Sequence, residues 1–117
     1  MITAAQTRRE MDRQGEYWRV ALMDFVDDFR RHGDPATIAE PFAPGEPRFD
    51  ALLASVIEQL CKELRRPIPS WVEAVPASPR AWFVSGFESL KAIALVESPL
   101  SFRMRNIFVH ANFLSRV

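Results

Sequence analysis

The side chains best suited to chemistry are few in this sequence. His32 and His110 are the only histidines, and Cys61 is the only cysteine among 117 residues. A transition-metal site needs several His, Cys, Asp or Glu ligands at helical or hairpin spacing, and neither histidine has such neighbours. His32 stands at the end of a predicted helix, where the helix dipole favours a cation. We therefore expect no metal ion and no cofactor, and a structural or interface role for His110.

Cys61 and Ser85 are the two candidate nucleophiles. Cys61 lies beside Leu60 and Leu64 in a predicted helix, and a buried thiol in such a place behaves as a small hydrophobic group. Ser85 and Gly86 are similar to part of a nucleophile elbow, but the flanking pattern of that motif is missing. The four glycines also lack the spacing of a phosphate-binding loop. The sequence therefore predicts a protein that is not an enzyme.

Three carboxylates cluster at Asp24, Asp27 and Asp28. Asp24 and Asp28 are four residues apart, so they share one face of a helix and repel each other mildly. Two interpretations stay open: a solvated acidic face, or a contact for a basic partner. Coordination of a divalent cation by Asp24 and Asp28 is a third and weaker alternative.

The last third of the chain, residues 82–117, threads Arg103, Arg105 and His110 through many large apolar residues. Two residues apart on a helix, Arg103 and Arg105 point in different directions and cannot form one phosphate clamp. They are either charges in a last helical turn or anchors in a protein interface, where arginine is over-represented. Trp82 follows a proline-broken segment and is a candidate anchor for a partner.

Composition indicates one folded domain. Hydrophobic residues make up 48% of the chain, with nine Phe and three Trp, which is enough for a packed core. The net charge is zero, but residues 1–60 hold seven Lys/Arg against eleven Asp/Glu, whereas residues 61–117 hold eight against four. A neutral chain lacks the basic footprint of nucleic-acid binding. The single cysteine and the lack of a signal or membrane-spanning segment predict a soluble, cytoplasmic protein without membrane attachment.

The N-terminal region, residues 1–32, is predicted to form one long helix. Thr3 and Gln6 make a capping box at its start. One apolar stripe recurs at helical spacing: Trp18, Leu22, Phe25 and Phe29. Residues 7–16 hold a single large apolar side chain, so this part is expected to be solvated or covered by a partner. Gly15 weakens the helix by about 1 kcal/mol relative to alanine.

A proline-rich connection, residues 33–47, leads to a helical core at 48–117. The clearest helix runs from Arg48 to Arg65, where apolar residues fit one buried face over the whole length. Shorter helices follow: one opened by Ser70, one from a Ser85 cap to Glu97 with Leu90, Ile93, Ala94 and Val96 inward, and one after Ser98 and Pro99. Residues 107–109 are predicted to be extended. The fold class is therefore all-α, a small single-domain bundle of four or five helices.

Four segments of the C-terminal half stand in a distinctive order. They are Pro-x-Trp-Val-Glu at 69–73, Trp-Phe at 82–83, Ala-Leu-Val-Glu-Ser-Pro-Leu-x-Phe-Arg-x-Arg-x-Ile-Phe-Val at 94–109, and Leu-Ser-Arg-Val at 114–117. Together they resemble an uncharacterised actinobacterial domain that often follows a helix-turn-helix segment in regulators. Some of these resemble antitoxins encoded beside nucleotidyltransferase-like toxins, which implies a protein partner of that class. This chain differs before Arg48, where a long helix and a proline loop replace a DNA-reading head.

The leading hypothesis is a non-enzymatic, antitoxin-like module that binds and occludes a partner protein. Either the acidic N-terminal helix, with carboxylates that imitate phosphate charge, or the C-terminal surface would cover the partner's basic active site. The candidate contact residues are Asp24, Asp27, Asp28, Trp82, Arg103, Arg105 and His110. The alternatives are a DNA-binding transcriptional regulator, or its accessory dimerisation domain, and an enzyme of unknown type. A homodimer through the stripe from Trp18 to Phe29 is compatible with all of these.

Overall fold

In the computed structural model, which describes residues 1–115, six α-helices form the body of the chain. They are α1 (Ala4–Gln14), α2 (Trp18–His32), α3 (Pro47–Leu64), α4 (Ser70–Ala74), α5 (Lys91–Glu97) and α6 (Leu100–Arg103). Single turns of 3-10 helix lie at Gly15–Tyr17, Pro35–Ile38 and Glu88–Leu90. Two short strands, β1 (Trp82–Phe83) and β2 (Ile107–Phe108), complete the described elements. The predicted all-α class is confirmed.

Helix α3 is the centre of the fold. Every residue from Asp50 to Glu58 is buried, and α1, α2, α4 and α6 all pack against this helix. Pro47 occupies the first turn, where its missing N–H has no helical partner to lose. Arg65 takes a left-handed conformation, with φ of 56°, and ends the helix. The helix predicted from Arg48 to Arg65 is confirmed to within one residue at each end.

The N-terminal region is a pair of helices, so the predicted single helix is wrong. Helix α1 ends at Gly15, whose φ of 58° favours glycine, and α2 begins at Trp18. Helix α1 then folds back against α2 and buries Ala4 and Met11 completely. Within residues 7–16, one side is therefore packed in the chain, through Thr7, Arg8 and Met11, and the other side is exposed. Gly15 has a low helix propensity, and the chain reverses direction there because both helices have an apolar face to bury.

The apolar stripe of α2 faces the core. Its four predicted members are buried: Trp18, Leu22, Phe25 and Phe29. The spacing therefore predicted the inner face of this helix correctly. A homodimer through the stripe is wrong as an alternative, because these side chains are already covered by the chain's own hydrophobic cluster.

The short C-terminal helices begin differently from their predicted caps. Ser70 is the first residue of α4, and Pro69 precedes it without a side-chain cap. The hydroxyl of Ser85 accepts a hydrogen bond from the N–H of Phe87 in a local turn, and α5 begins only at Lys91. Both serines stand next to proline or glycine, whose backbone preferences shift where the helices can start.

The two short strands join distant parts of the C-terminal third. They run parallel, with Trp82 opposite Ile107, and the N–H of Val84 donates to the carbonyl oxygen of Phe108 at 3.1 Å. The extended segment that the sequence predicts here is confirmed. The segment between the paired strands, residues 84–106, includes α5 and α6 and therefore begins and ends at this strand pair.

Candidate functional site

Arg105 is a buried part of the core. Its Nη2 donates to Oε1 of Glu58 and to the carbonyl oxygen of Val72, both at 3.0 Å, and its Nη1 donates to the carbonyl oxygen of Ser101 at 2.8 Å. The residue is 2% exposed. This corrects the assignment of Arg105 to a partner-binding surface, because the guanidinium instead links α3, α4 and α6 inside the monomer.

The carboxylate of Glu58 is kept ionised by this environment. Burial by itself raises the pKa of Glu58, but the hydrogen bonds and the charge of its neighbours outweigh burial, so that this pKa lies below its ordinary value. Nζ of Lys62 lies 3.2 Å from the second carboxylate oxygen. Arg105 and Lys62 therefore both contact the buried carboxylate of Glu58, and this group of charges has a structural role.

Cys61 lies near Glu58, and its thiol is unreactive. The residue is fully buried, and burial, followed by the nearby charge of Glu58, raises the pKa of the Cys61 thiol to about 11. A thiolate is the reactive form of cysteine, and it is scarce at neutral pH when the pKa is this high. The interpretation of Cys61 as a small hydrophobic side chain agrees with its place in the core.

Arg103 and Arg105 diverge, as their spacing predicts. Arg103 lies on the exposed side of α6 while Arg105 is buried. They therefore cannot bind one phosphate together, and Arg103 alone remains available on this surface.

Trp82 is half-buried in an aromatic cluster. Its ring centroid lies 5.5 Å from that of Trp18 and 6.1 Å from that of Phe49. The guanidinium of Arg48 stands 5.0 Å above the Trp82 ring, a cation–π contact. Trp82 thus packs the C-terminal third against α2 and α3, and only part of its ring surface is left for a partner.

His110 lines a small cleft, and Glu97 lies close to it. The His110 Nδ1 is 3.6 Å from Oε1 of Glu97, which is too long for a hydrogen bond, and the same oxygen accepts from the N–H of Ala111 at 3.2 Å. Nε2 of His110 is buried and has no hydrogen-bond partner within residues 1–115. The cleft measures about 190 Å³ and is also lined by Arg30 and Phe113.

Arg30, which also lines this cleft, makes hydrogen bonds to two other parts of the chain. It donates to both carboxylate oxygens of Glu63, at 2.8 and 2.9 Å, and to the carbonyl oxygen of Leu114 at 2.6 Å. The hydrogen bond from Arg30 lowers the pKa of Glu63. The cleft is therefore the joint between α2, α3 and the C-terminal segment, and its charged groups are used in making that joint.

The three aspartates of α2 differ in their exposure. Asp28 accepts a hydrogen bond from the backbone N–H of Ile2 at 2.8 Å and lies 3.3 Å from Nδ1 of His32. Asp27 is half-buried, whereas Asp24 is exposed. Asp28 thus contacts other residues of the chain, and Asp24 is the most exposed residue of the three.

A second buried ion pair, which nothing in the sequence indicated, joins α1 to α3. Arg8 is 2% exposed, and its Nε donates to Oδ1 of Asp50 at 2.7 Å while its Nη1 donates to Asp12 at 2.6 Å. The N–H of Gly45 donates to the other oxygen of Asp50 at 2.9 Å. The helical spacing of Arg8 and Asp12 is a local signal, but Asp50 lies 42 residues away.

Exposed apolar side chains gather on α5 and α6. Every residue of α5 between Lys91 and Glu97 is apolar, so this helix has no polar face to turn to water. Ala94 is the buried residue of the helix. Five large side chains remain exposed, and we call them the α5–α6 face: Ile93, Leu95, Val96, Leu100 and Met104.

The α5–α6 face corrects the predicted orientation of α5. Ile93 and Val96 were expected to point inward with Ala94, but they are 47% and 81% exposed. At 100° per residue, Ile93, Val96 and Leu95 cover the arc opposite Ala94. The five side chains expose on the order of 500 Å² of apolar surface. Exposed apolar surface of this amount is often functional where it forms one continuous patch.

Three further results concern membrane crossing, metal binding and similarity to known proteins. Within residues 1–115, no helix combines the length and the apolar character that crossing a bilayer requires. In the same part of the chain, no three His, Cys, Asp or Glu side chains are placed to hold a metal ion together. No protein-family model matches the chain, and no curated protein or solved structure is significantly similar to it.

Proposed function

We propose that this chain is a non-enzymatic protein-interaction module that binds and occludes a partner protein, in the manner of an antitoxin. The α5–α6 face carries the proposal, because five large apolar side chains stay exposed on a segment that has no polar outer side. Burial of about 500 Å² of apolar surface contributes on the order of 10 kcal/mol before the costs of association. Coverage of this face therefore favours association with a partner.

The partner class is suggested by the resemblance of the C-terminal half to domains encoded beside nucleotidyltransferase-like toxins. An enzyme of that kind handles nucleotide phosphates, so we expect its active site to be basic. Asp24 is exposed on α2 and Asp27 is half-buried beside it, and their charge imitates phosphate. In this mechanism the apolar face supplies affinity, and the aspartates supply the orientation and the competition with substrate.

Coexpression with the product of the neighbouring gene tests the proposal. We expect the two proteins to copurify, and growth arrest caused by the partner to be relieved. Val96→Glu places a charge in the centre of the α5–α6 face and should abolish both effects. Ala43→Glu adds the same charge at an exposed site in the proline-rich connection and should leave both effects intact. Failure of the wild-type chain to copurify and to restore growth would remove the proposal.

A DNA-binding transcriptional regulator, or its accessory dimerisation domain, is the second candidate, because an uncharged apolar face also suits self-association. Gel shifts on the DNA upstream of the gene, at several salt concentrations, separate the two candidates. Phosphate contacts by Lys and Arg give an affinity that falls steeply with salt. Such a salt dependence in the purified chain would favour the regulator over the antitoxin.

A further inference from the structure

We propose that a second cleft, which we call the Arg19 cleft, binds a phosphate group, either as inorganic phosphate or as part of a phosphate monoester. The cleft measures about 210 Å³ and lies where α2, the residues after β1 and residues 109–115 meet. Among the described residues that line it, none belongs to the α5–α6 face. The proposal therefore goes beyond the partner-binding function and does not depend on it.

The guanidinium of Arg19 is held in place at the edge of this cleft. Its Cζ lies 5.1 Å from the ring centroid of Trp18 and 5.8 Å from that of Phe113, and its Nη2 donates to the carbonyl oxygen of Val84 at 3.1 Å. Phe113 and Val84 both line the cleft. A cation that is already oriented by its neighbours loses little conformational freedom when an anion binds.

The charge of Arg19 has no counter-charge in the part of the chain that the structure describes. Arg19 forms no ion pair there, and its Nε and Nη1 donate to no acceptor within residues 1–115. No Asp or Glu is among the described residues that line the cleft. Glu97 lies 3.6 Å from Nδ1 of His110, a lining residue, but the same Glu97 oxygen accepts from the N–H of Ala111. The cleft therefore offers a cation to an anion from solution.

Three neutral residues of the cleft can add hydrogen bonds to the same anion. Asn112 and Ser115 line it, and their side chains have no hydrogen-bond partner within residues 1–115. The hydroxyl oxygen of Ser85 accepts from the N–H of Phe87 at 3.4 Å, so its own proton is left to donate. Donors from separate parts of the chain suit a tetrahedral oxyanion, and a guanidinium forms its strongest hydrogen bonds with phosphate and carboxylate.

The cleft also has apolar walls, which suit the organic part of a phosphate monoester. Val84, Val109 and Phe113 line it together with the polar residues. Small-molecule sites commonly combine such apolar walls with a few polar groups that fix the orientation of the ligand. A small ester group can therefore pack against these walls while its phosphate lies at Arg19.

Nuclear magnetic resonance of the full, ¹⁵N-labelled chain tests the proposal by titration with sodium phosphate. Sodium chloride keeps the ionic strength constant, so that general screening of charge does not change during the titration. The Nε–H signal of Arg19 and the amide signals of residues 110–115 should shift along one saturable curve. One cation in an open cleft predicts a dissociation constant on the order of 1 mM.

Two variants with charge-matched controls locate the site. Arg19→Gln should weaken phosphate binding at least about tenfold, because it removes the charge-assisted hydrogen bonds, whereas Arg31→Gln makes the same change at an exposed position of α2 and should bind like the wild type. Asn112→Asp should weaken binding to a similar extent by placing a carboxylate at the cleft. Ala43→Glu adds the same charge at a distant exposed position and should have no effect.

The Asn112→Asp variant keeps the test valid if Arg19→Gln does not fold, since it leaves both ring contacts of Arg19 in place. The dispersion of amide signals shows whether each variant is folded. Phenyl phosphate and sodium acetate then define the ligand class. Tighter binding of phenyl phosphate than of phosphate assigns the cleft to a monoester, and equal or weaker binding assigns it to inorganic phosphate.

Three results would overturn the phosphate site. They are shifts that stay linear in phosphate concentration, saturable binding that Arg19→Gln or Asn112→Asp leaves unchanged in a folded chain, and binding of acetate as tight as that of phosphate. All of these measurements use the chain alone, without a partner protein. Their outcome is therefore separate from copurification and from relief of growth arrest, which test the proposed function.

Discussion

Arg105 and Glu58, 47 residues apart in the chain, meet in the core with donor and acceptor 3.0 Å apart. Their side chains are only 3% and 6% exposed. Loss of Glu58 leaves the buried guanidinium of Arg105 without a counter-charge, and loss of Arg105 leaves buried Glu58 with Lys62 alone, so either loss is costlier than loss of a surface pair. The role of Arg105 is therefore to hold α6 and its neighbours on α3.

Replacement of Arg105 by alanine should lower the free energy of unfolding by about 3–5 kcal/mol. Urea denaturation followed by circular dichroism measures this change. Arg103→Ala is the control, because Arg103 is exposed two residues earlier, and its effect should stay within about 0.5 kcal/mol. Equal stability of the two variants would show that the buried contacts of Arg105 do not stabilise the fold.

Acid should weaken the fold through Glu58. Because the pKa of Glu58 is lower in the folded chain than its ordinary value of 4.5, the folded state binds fewer protons than the unfolded state. The stabilisation is complete above the unfolded-state pKa and is lost as the pH falls through the lower folded-state pKa. Urea midpoints measured at a series of pH values should therefore fall below about pH 4.5.

Glu58→Gln should flatten this acid dependence as well as lower stability, because the titrating group is gone. Glu63→Gln is the comparison, since the pKa of Glu63 is lowered by the hydrogen bond from Arg30 but its side chain is 41% exposed. Its influence on the slope should be smaller because solvent screens the pair. An acid slope in Glu58→Gln as steep as that of the wild type would contradict the assignment.

The pair of Arg8 and Asp50 should matter more than the pair of Arg8 and Asp12. Asp50→Ala removes an acceptor from a buried guanidinium and from the N–H of Gly45, and should cost about 2–3 kcal/mol of unfolding free energy. Asp12 is 58% exposed, so Asp12→Ala should cost less than about 1 kcal/mol. Thermal or urea unfolding of the two variants checks the order, and a reversed order would refute it.

Cys61 should resist thiol reagents in the folded chain. With a pKa of about 11, roughly one thiol in a thousand is ionised at about pH 8, and burial blocks access as well. Release of thionitrobenzoate from dithionitrobenzoate should be slow for the native chain and rapid after addition of guanidinium chloride. Rapid labelling without denaturant would mean that Cys61 is accessible.

Helix α3 could be predicted because all its signals are local. Pro47 begins the helix, Pro67 and Pro69 prevent its continuation, and the apolar positions between them keep one period. The pairing of Arg105 with Glu58 could not be predicted in this way, because spacing along a helix reports only on neighbours three or four residues away. A charge that pairs across the core looks, in sequence, like a charge at the surface.

Helix α5 shows a different limit of sequence-based prediction. Its five central residues are all apolar, so periodicity cannot choose which of them faces inward. Packing with the rest of the chain placed Ala94 against the core and left Ala92, which is equally small, exposed. The exposed faces of Ile93 and Val96 were therefore visible only in the folded structure, and with them the strongest candidate for an interaction surface.

The parallel pairing of β1 with β2 closes residues 84–106 into a loop by very few backbone hydrogen bonds. Closing a loop of this length costs about 3 kcal/mol of chain entropy, which a handful of bonds at about 1 kcal/mol each does little more than offset. Within this segment α6 also packs against α3, whereas α5 buries Ala94 alone. The amide protons of α5 should therefore exchange with solvent independently of α3. Deuterium uptake that is confined to α5, and that slows when a partner covers the α5–α6 face, would show whether that face is occupied.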